Sequence, residues 1–310
     1  MFNFLTKTMN NTKDSFSIKD LENLSGIKAH TIRIWEKRYN LLSPERTLTN
    51  IRHYSLESLQ KLLNITLLYN SGYKISKIGK IEEKNIPILV SDIIAKHSNG
   101  SHVFNAFKLA MINFDQTLFH NTYKALLKEK TFKEIFNIIF TPFLNEMGLL
   151  WQTNTINPAH EHFISNLIRQ NIIVNIEKLQ TNKVTKQDKT FVLYLPKGEI
   201  HELGILYLNY ELLLEGYKAI YLGQSLPIKD LKKILSYHSN INFISYFTVQ
   251  PGKDKIEDYI TSFTDQILAN SNSNLSLMGY QTQYLDKNKL SSAVKTFDSV
   301  DELINTIKKD

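Results

Sequence analysis

The chain of 310 residues contains no cysteine. That excludes a disulfide framework, a cysteine-ligated zinc finger, an iron–sulfur centre and a thiol nucleophile. Long apolar runs are missing as well. None approaches the ~20 residues that span a bilayer, although 42% of the residues are hydrophobic, enough to fill real cores. Residues 1–14 are polar and lack the apolar stretch of a signal peptide, so the expected location is cytoplasmic, with no membrane partner. Acidic residues are scarce in one place. Residues 1–80 hold 13 Lys/Arg against 6 Asp/Glu, whereas residues 81–310 hold 24 of each. The whole formal charge of +7 therefore sits in the first quarter. A diffuse excess would read as a solvated surface. Confined to 80 residues, it points to a polyanion-binding head on a separate, neutral body.

The expected fold is multidomain, α followed by α/β. Residues 1–14 read as a disordered lead and 15–80 as short helices separated by turn residues. Residues 85–179 are almost wholly helical in pattern and predict a four-helix bundle. Its candidate helices are Ile86–Lys96, Val103–Asn113, Asp115–Lys128 and Thr131–Trp151, with a fifth from Pro158 to about Lys178. The last starts clearly, with Asn157 as N-cap and Pro158 at the first helical position. Residues 180–190 are polar and predict a linker. From 191 the pattern alternates: strands at Phe191–Leu195, Lys218–Leu222, Asn242–Phe247 and Leu275–Tyr280, and helices at Leu203–Glu215, Lys229–Ser236, Asp254–Ala269 and Asp298–Lys309. That alternation predicts a parallel sheet with helices on both faces.

In the head, Ile18, Leu21 and Leu24 form one buried stripe on a helix that ends at Gly26. A second helix runs from Lys28 to Tyr39. Ile32 and Trp35 can face inward, leaving Thr31, Arg33, Lys37 and Arg38 outward. Two short helices around a glycine turn form a helix-turn-helix, and the second carries the basic, polar face that a major groove requires. The segment Leu41–Tyr54 is turn-rich and suits a two-stranded wing. The candidate DNA contacts are Lys28, His30, Thr31, Arg33, Lys37, Arg38 and Tyr39 on the helix, and Arg46, Thr47, Asn50, Arg52 and Tyr54 on the wing. This order of residues resembles the MerR family of winged-helix transcription regulators over residues 16–80. It is carried by Thr-Ile-Arg-x-Trp-Glu-x-Arg-Tyr, Pro-x-Arg-Thr and Arg-x-Tyr, followed by helices at Leu56–Leu68 and Ile75–Ile78. The resemblance implies a homo-oligomer, dimer or tetramer, on a double-stranded DNA operator. No long heptad run is present to supply a coiled-coil dimer contact, so assembly is expected to use the body.

Two further patterns carry chemistry. His160-Glu161-His162 opens the fifth helix, with Trp151 nine intervening residues before Glu161. His160 and His162 are two apart and point to different sides of a helix, and the His-Glu-x-x-His zinc pattern is absent. Trp151 reads either as core or as an apolar lid over a flat cofactor. After the first strand of the α/β body comes Lys197-Gly-Glu199-Ile-His201-Glu-Leu-Gly204. A loop at the carboxyl edge of such a sheet is where ligands bind. A histidine there can ligate a metal through one ring nitrogen while Glu199 accepts a hydrogen bond from the other; a solvated loop histidine is the commoner occurrence of such a short pattern. Gly204 allows close backbone approach.

The spacing onward, forty residues to Ser245-Tyr-Phe247 and thirty more to Met278-Gly279, resembles the cobalamin-binding domain. The Trp151…Glu161-His162 pattern resembles the cap of the light-sensing, cobalamin-binding branch of MerR regulators. The resemblance implies a Rossmann-like body with His201 as the cobalt ligand and Glu199 as its partner. Ser245 or Ser225, with Gly279, would line the slot for the cofactor's tail, and Trp151, Glu161 and His162 would cover adenosylcobalamin or another cobalamin. Two departures stand out. The family's Gly-Gly pair is Met278-Gly279 here, with Tyr280 next, and Gln152 follows the tryptophan where light-sensing members commonly carry a histidine, leaving His160 or His162 to substitute. The expected function is a non-enzymatic, DNA-binding repressor-type regulator that senses adenosylcobalamin, with light as a further input. The alternatives are a regulator of the same type that has lost the cofactor and answers to a protein partner, and, more distantly, a corrinoid enzyme subunit.

Overall fold

The computed structural model describes residues 15–47, 49–86, 88–90, 101–152, 156–181, 184–238 and 240–309. The chain divides into two compact units, one ending at Ile168 and the other beginning at Arg169.

In the first unit a short strand β1 (Ser15–Ser17) leads into α1 (Ile18–Ser25). The helix starts where it does because Ser17 accepts a hydrogen bond from the Asp20 amide while Asp20 accepts one from the Ser17 amide at 2.8 Å. It ends at Gly26, whose φ of +71° is the left-handed cap expected of glycine. Then come α2 (Ala29–Tyr39), β2 (Glu45–Arg46) and β3 (Arg52–Ser55). The wing has a third strand that the sequence did not suggest. β1 pairs antiparallel with β3, giving the order β1-β3-β2, because Phe16 and Tyr54 face each other and both are buried.

α3 (Leu56–Asn70) buries residues almost all round its axis, including Leu59, Leu62, Leu63, Ile65, Leu67 and Leu68. A helix apolar on every side needs neighbours on every side. It packs against α1 and β3, against α4 (Ile75–Ile78), and against α5 (Ser101–Ile112) of the helical middle. The basic head and the helices after it therefore form one unit rather than a head on a separate body. The middle continues with α6 (Gln116–Leu126) and α7 (Phe132–Ile135). A wide π turn at Phe136–Phe140 runs on into α8 (Thr141–Gln152). Its core is aromatic: Phe107 lies 5.0 Å from Phe119, 5.7 Å from Phe140 and 5.7 Å from Phe143, ring centre to ring centre. Each such buried ring contributes ~2–3 kcal/mol by area before entropy is counted. α9 (Pro158–Gln180) opens as expected, with the Asn157 side chain accepting from the His160 amide at 3.2 Å. The expected helix at Ile86–Lys96 falls largely outside the described residues.

The second unit carries a five-stranded, all-parallel sheet in the order β5-β4-β6-β7-β8. Its elements are β4 (Lys186–Pro196), α10 (Leu203–Leu214), β5 (Tyr217–Leu226), α11 (Ile228–Leu231), β6 (Ile241–Tyr246), α12 (Ile256–Gln266), β7 (Asn274–Met278), β8 (Val294–Thr296) and α13 (Val300–Lys309). This is the Rossmann-like layout expected, with three differences. β4 begins at Lys186, inside the expected linker. The helix expected at Lys229–Ser236 is one α turn followed by a 3₁₀ stretch at Lys232–Ser236. β8, three residues long on the sheet edge beside β7, is too short to show a period. Apolar residues cover both sheet faces, one set around Val192, Tyr194, Phe243 and Phe263, the other around Leu193, Ile205, Leu208 and Ile304. No helix among the described residues is long and apolar enough to cross a membrane.

Ser17→Ala removes one side of the α1 capping box, and ~1 kcal/mol of stability should go with it; urea unfolding followed by circular dichroism reads the loss.

Candidate functional site

The first candidate surface is on the head. Ile32 and Trp35 of α2 are buried, and Trp35 meets Tyr69 of α3 edge-on at 5.1 Å. That contact turns Arg33, Lys37 and Arg38 to solvent, as the helical spacing predicts, with His30 also exposed. Lys28 is exposed and pairs with Glu22 at 3.3 Å, and Thr31 lies beside His30 at 3.3 Å. On the wing, Arg46 donates to Asn50 at 2.6 Å. Asn50 takes a φ of +63° and, with the Thr47 carbonyl and hydroxyl, closes the hairpin tip. Between helix and wing lies an open groove of about 460 Å³ edged by Arg33, Lys37, Arg46 and Arg52. Four guanidinium or ammonium groups along one groove suit a phosphate backbone.

Two of the expected DNA contacts also bond within the head. Tyr54 is 1% exposed and donates its hydroxyl to Glu36 at 3.2 Å, and Arg52 donates Nε to the same carboxylate at 3.2 Å. Burial, and then the nearby carboxylate, push Tyr54 up to about 12, so its hydroxyl remains a donor. Tyr54 is thus turned away from any duplex, and Arg52 is held at the seam. Glu36 of α2 is the residue that residue type alone did not mark. It locks the wing to the recognition helix. Tyr39 is half-buried, its β-carbon close to where a side chain at Gly79 would begin.

The second candidate site is at the carboxyl edge of the sheet. Strand order reverses at β4, with β5 on one side and β6 on the other, so the loops after β4 and β6 open beside each other at a topological switch point. Glu199, wholly buried, ties them together. Its Oε1 accepts from the amides of Ile200 and His201, both at 2.9 Å, and from His201 Nδ1 at 2.5 Å. Its Oε2 accepts from the amides of Thr248 at 3.1 Å, Val249 at 2.6 Å and Gln250 at 2.8 Å. Burial opposes the charge. The bonds from His201 and from the Gln250 and Val249 amides outweigh it and hold the carboxyl at about 2. An ionised carboxylate cannot donate, so Nδ1 of His201 is the donor in this bond and Nε2 is the nitrogen turned away from Glu199.

The neighbouring residue, Glu202, is also buried and accepts from Arg169 Nε and from the Tyr221 hydroxyl, the latter at 2.5 Å. Neither Arg169 nor Tyr221 carries a sequence signal. Ser225, with φ +57°, accepts from the Gly198 amide at 3.0 Å and so steadies the His201 loop from β5. Ser245 is buried and spends its hydroxyl on the Tyr194 carbonyl at 3.0 Å. A Cβ at Gly204 would sit 3.0 Å from the Tyr246 ring, and one at Gly279, where φ is +99°, would sit 2.5 Å from the Phe247 carbonyl. The close approaches at both glycines are therefore made by the chain itself.

Of the expected cap residues, Glu161 accepts from Ser165 at 2.6 Å, and His162 is 72% exposed with Nε2 3.5 Å from Glu161. His160 points inward. It is buried, stacks on Phe114 at 4.8 Å, and its Nδ1 has no partner, so burial lowers its proton affinity and it is not placed as an exposed ligand. The side chains of Trp151 and Gln152 lie outside the described residues.

A metal at His201 would receive one protein nitrogen, on a ring oriented by the carboxylate behind it. That donor set fits a metal that carries its remaining ligands with it, as the cobalt of a corrinoid does.

Residues 16–85 match the family model of the MerR HTH family regulatory protein, and residues 103–174 that of the B12 binding domain. The chain thus joins a MerR-type helix-turn-helix to a B12-binding domain. It is similar to the HTH-type transcriptional repressor CarH of Myxococcus xanthus, 23% identical over 254 residues, covering 80% of this chain and 83% of the relative. The repressor CarA of the same organism is 24% identical over 220 residues, covering 69% and 70%. Among solved structures, the monomethylamine corrinoid protein of Methanosarcina barkeri superposes with a TM-score of 0.51 at 13% identity, over 73% of this chain and 99% of that one, a likeness of fold.

Two outcomes follow for this regulator. Glu36→Ala should weaken binding to a duplex selected from a random pool roughly tenfold, although it removes a negative charge from the DNA face, because Arg52 and the wing lose their anchor; fluorescence anisotropy measures it. Glu199 ionises in the fold well below its ordinary 4.5. Its stabilisation, about 3 kcal/mol, is present above pH 4.5 and lost as pH falls toward 2. Urea midpoints at pH 5 and pH 3 should therefore converge in Glu199→Gln.

Proposed function

We propose that the chain is a DNA-binding transcriptional repressor whose α/β unit takes adenosylcobalamin with His201 Nε2 as the lower cobalt ligand. The observation that carries this reading is the fully bonded Glu199 carboxylate, which fixes the His201 tautomer and orientation at the switch point of the sheet. Similarity to the two Myxococcus xanthus repressors supports the regulatory half, and the match over residues 103–174 supports the cobalamin half. When bound, adenosylcobalamin supplies a cobalt–carbon bond that visible light breaks.

The chain's own part has three steps. Glu199 holds His201 ready. Trp151, Glu161 and His162 would cover the bound cofactor. The unit of head and bundle joins further copies into a dimer or tetramer, so that several basic heads reach one operator together and gain effective concentration. Two assembly states with different affinity for the cofactor are all such a switch requires. Arg33, Lys37, Arg38 and Arg46 then face the operator, with Lys28, His30, Thr31, Thr47 and Asn50 beside them.

A second reading keeps the DNA-binding head and drops the cofactor in favour of a protein partner. It is favoured by Ser245 and Gly279, which the chain uses for its own internal contacts.

Mixing the protein with adenosylcobalamin in the dark should change the corrinoid absorption spectrum, and His201→Ala should lose that change together with the cofactor-dependent gain in operator affinity. Size-exclusion chromatography should show a larger species in the dark than after illumination. An unchanged spectrum with intact operator binding selects the second reading.

A further inference from the structure

Lys108 lies on α5 and is 5% exposed, among the least expected places for an ammonium group. It has two partners from opposite directions. It donates to the Leu24 carbonyl at 3.0 Å and to Glu146 Oε1 of α8 at 2.5 Å. Leu24 is in the last turn of α1, where carbonyls lack helical partners and the helix end is partly negative. α1 has no basic residue of its own in that turn, so Lys108 acts as a cap supplied by another helix. The turn at Gly26 and the recognition helix α2 follow directly.

On the other side, α5 and α8 are clamped by rings. Phe143 lies 6.0 Å from Phe104 and 5.7 Å from Phe107, which brings Glu146, one turn on, opposite Lys108. Leu24 belongs to the span that matches the MerR model, and Lys108 and Glu146 to the span that matches the B12-binding model. The pair thus joins the two at a buried point. A buried ammonium that loses its carboxylate is strongly disfavoured. If α8 shifts, Lys108 must follow Glu146 or remain buried with one carbonyl, and following Glu146 pulls on the end of α1.

We infer that Lys108 is a positioning residue that couples the cofactor-binding helical bundle to the recognition helix through Glu146 on one side and the Leu24 carbonyl on the other. The direction of the signal rests on the function proposed above; the coupling itself does not.

The test is hydrogen exchange on the full chain for wild type, Glu146→Gln, Lys108→Met and the double variant. Glu146 lies on α8 and pairs with Lys108 on α5, so a purely local role would leave α2 untouched. The inference expects Glu146→Gln to raise exchange of the amides in residues 18–39 roughly tenfold, within the range for coupled contacts, with residues 191–296 unchanged as an internal reference. In the Lys108→Met background the same change should add less than about twofold. Unchanged exchange at 18–39 in Glu146→Gln, or additive effects in the double variant, overturns it. Should Lys108→Met fail to fold, Lys108→Arg replaces it, and the exchange change in Glu146→Gln alone remains decisive. Adding adenosylcobalamin separates the two readings. A corrinoid spectrum with altered exchange at 18–39 in wild type, lost in Glu146→Gln with the spectrum kept, supports both. No spectrum in wild type counts against the cofactor alone, because the cofactor-free comparison still decides the coupling.

Discussion

A carboxylate taken wholly out of water is tolerable only where donors replace its solvent, and Glu199 is the point on which the sensor unit turns. Its oxygens gather the amides of Ile200, His201, Thr248, Val249 and Gln250 together with His201 Nδ1. Loops from two strands that lie about fifty residues apart in the chain are thereby stapled at the sheet edge. Without the staple, backbone amides of the β6 loop would lose their acceptor, and the imidazole would lose the group that fixes its tautomer. The strand order reverses here, where open parallel sheets bind ligands, and the carboxylate makes this edge rigid.

The same device recurs elsewhere. Glu36 holds Arg52 and Tyr54, so that the wing and the recognition helix move as one reading surface. Glu202 holds Arg169 and Tyr221. In both cases an acidic residue sits between an arginine and a tyrosine hydroxyl and sets the geometry of the pair. Half-buried ion pairs of this kind add little net stability. They fix orientation, which is what a reading head needs.

Much of the fold was legible because its signals are local. The Ile32 and Trp35 spacing, the glycine at the end of α1 and the Asn157-Pro158 start of α9 act within one or two turns, and the structure keeps all of them. His201 with Glu199 was legible for the same reason, the two being two residues apart. Less legible were the partners that each residue type finds in space. Arg52 and Tyr54 have the chemistry of DNA contacts, yet Glu36, sixteen and eighteen residues away, draws them into the seam. His160 has the chemistry of a ligand, yet its buried ring stacks against Phe114. β8 and the first residues of β4 were missed because a strand of three residues, or a polar lead into a buried strand, has no period to detect.

The sequence by itself determined the order of parts, the basic head, the helical middle and the alternating strands and helices, since composition and periodicity depend on residues close together in the chain. It also marked His201, since that pattern is contained in one loop. Tertiary structure decided what each polar group is for. It turned Gly204 and Gly279 into sites of internal packing against Tyr246 and Phe247. It buried Lys108 between the end of α1 and Glu146, and it made head and bundle one unit through α3. The physical reason is that a buried charge or a missing side chain is paired in space, with groups tens of residues distant, and no local pattern records the partner.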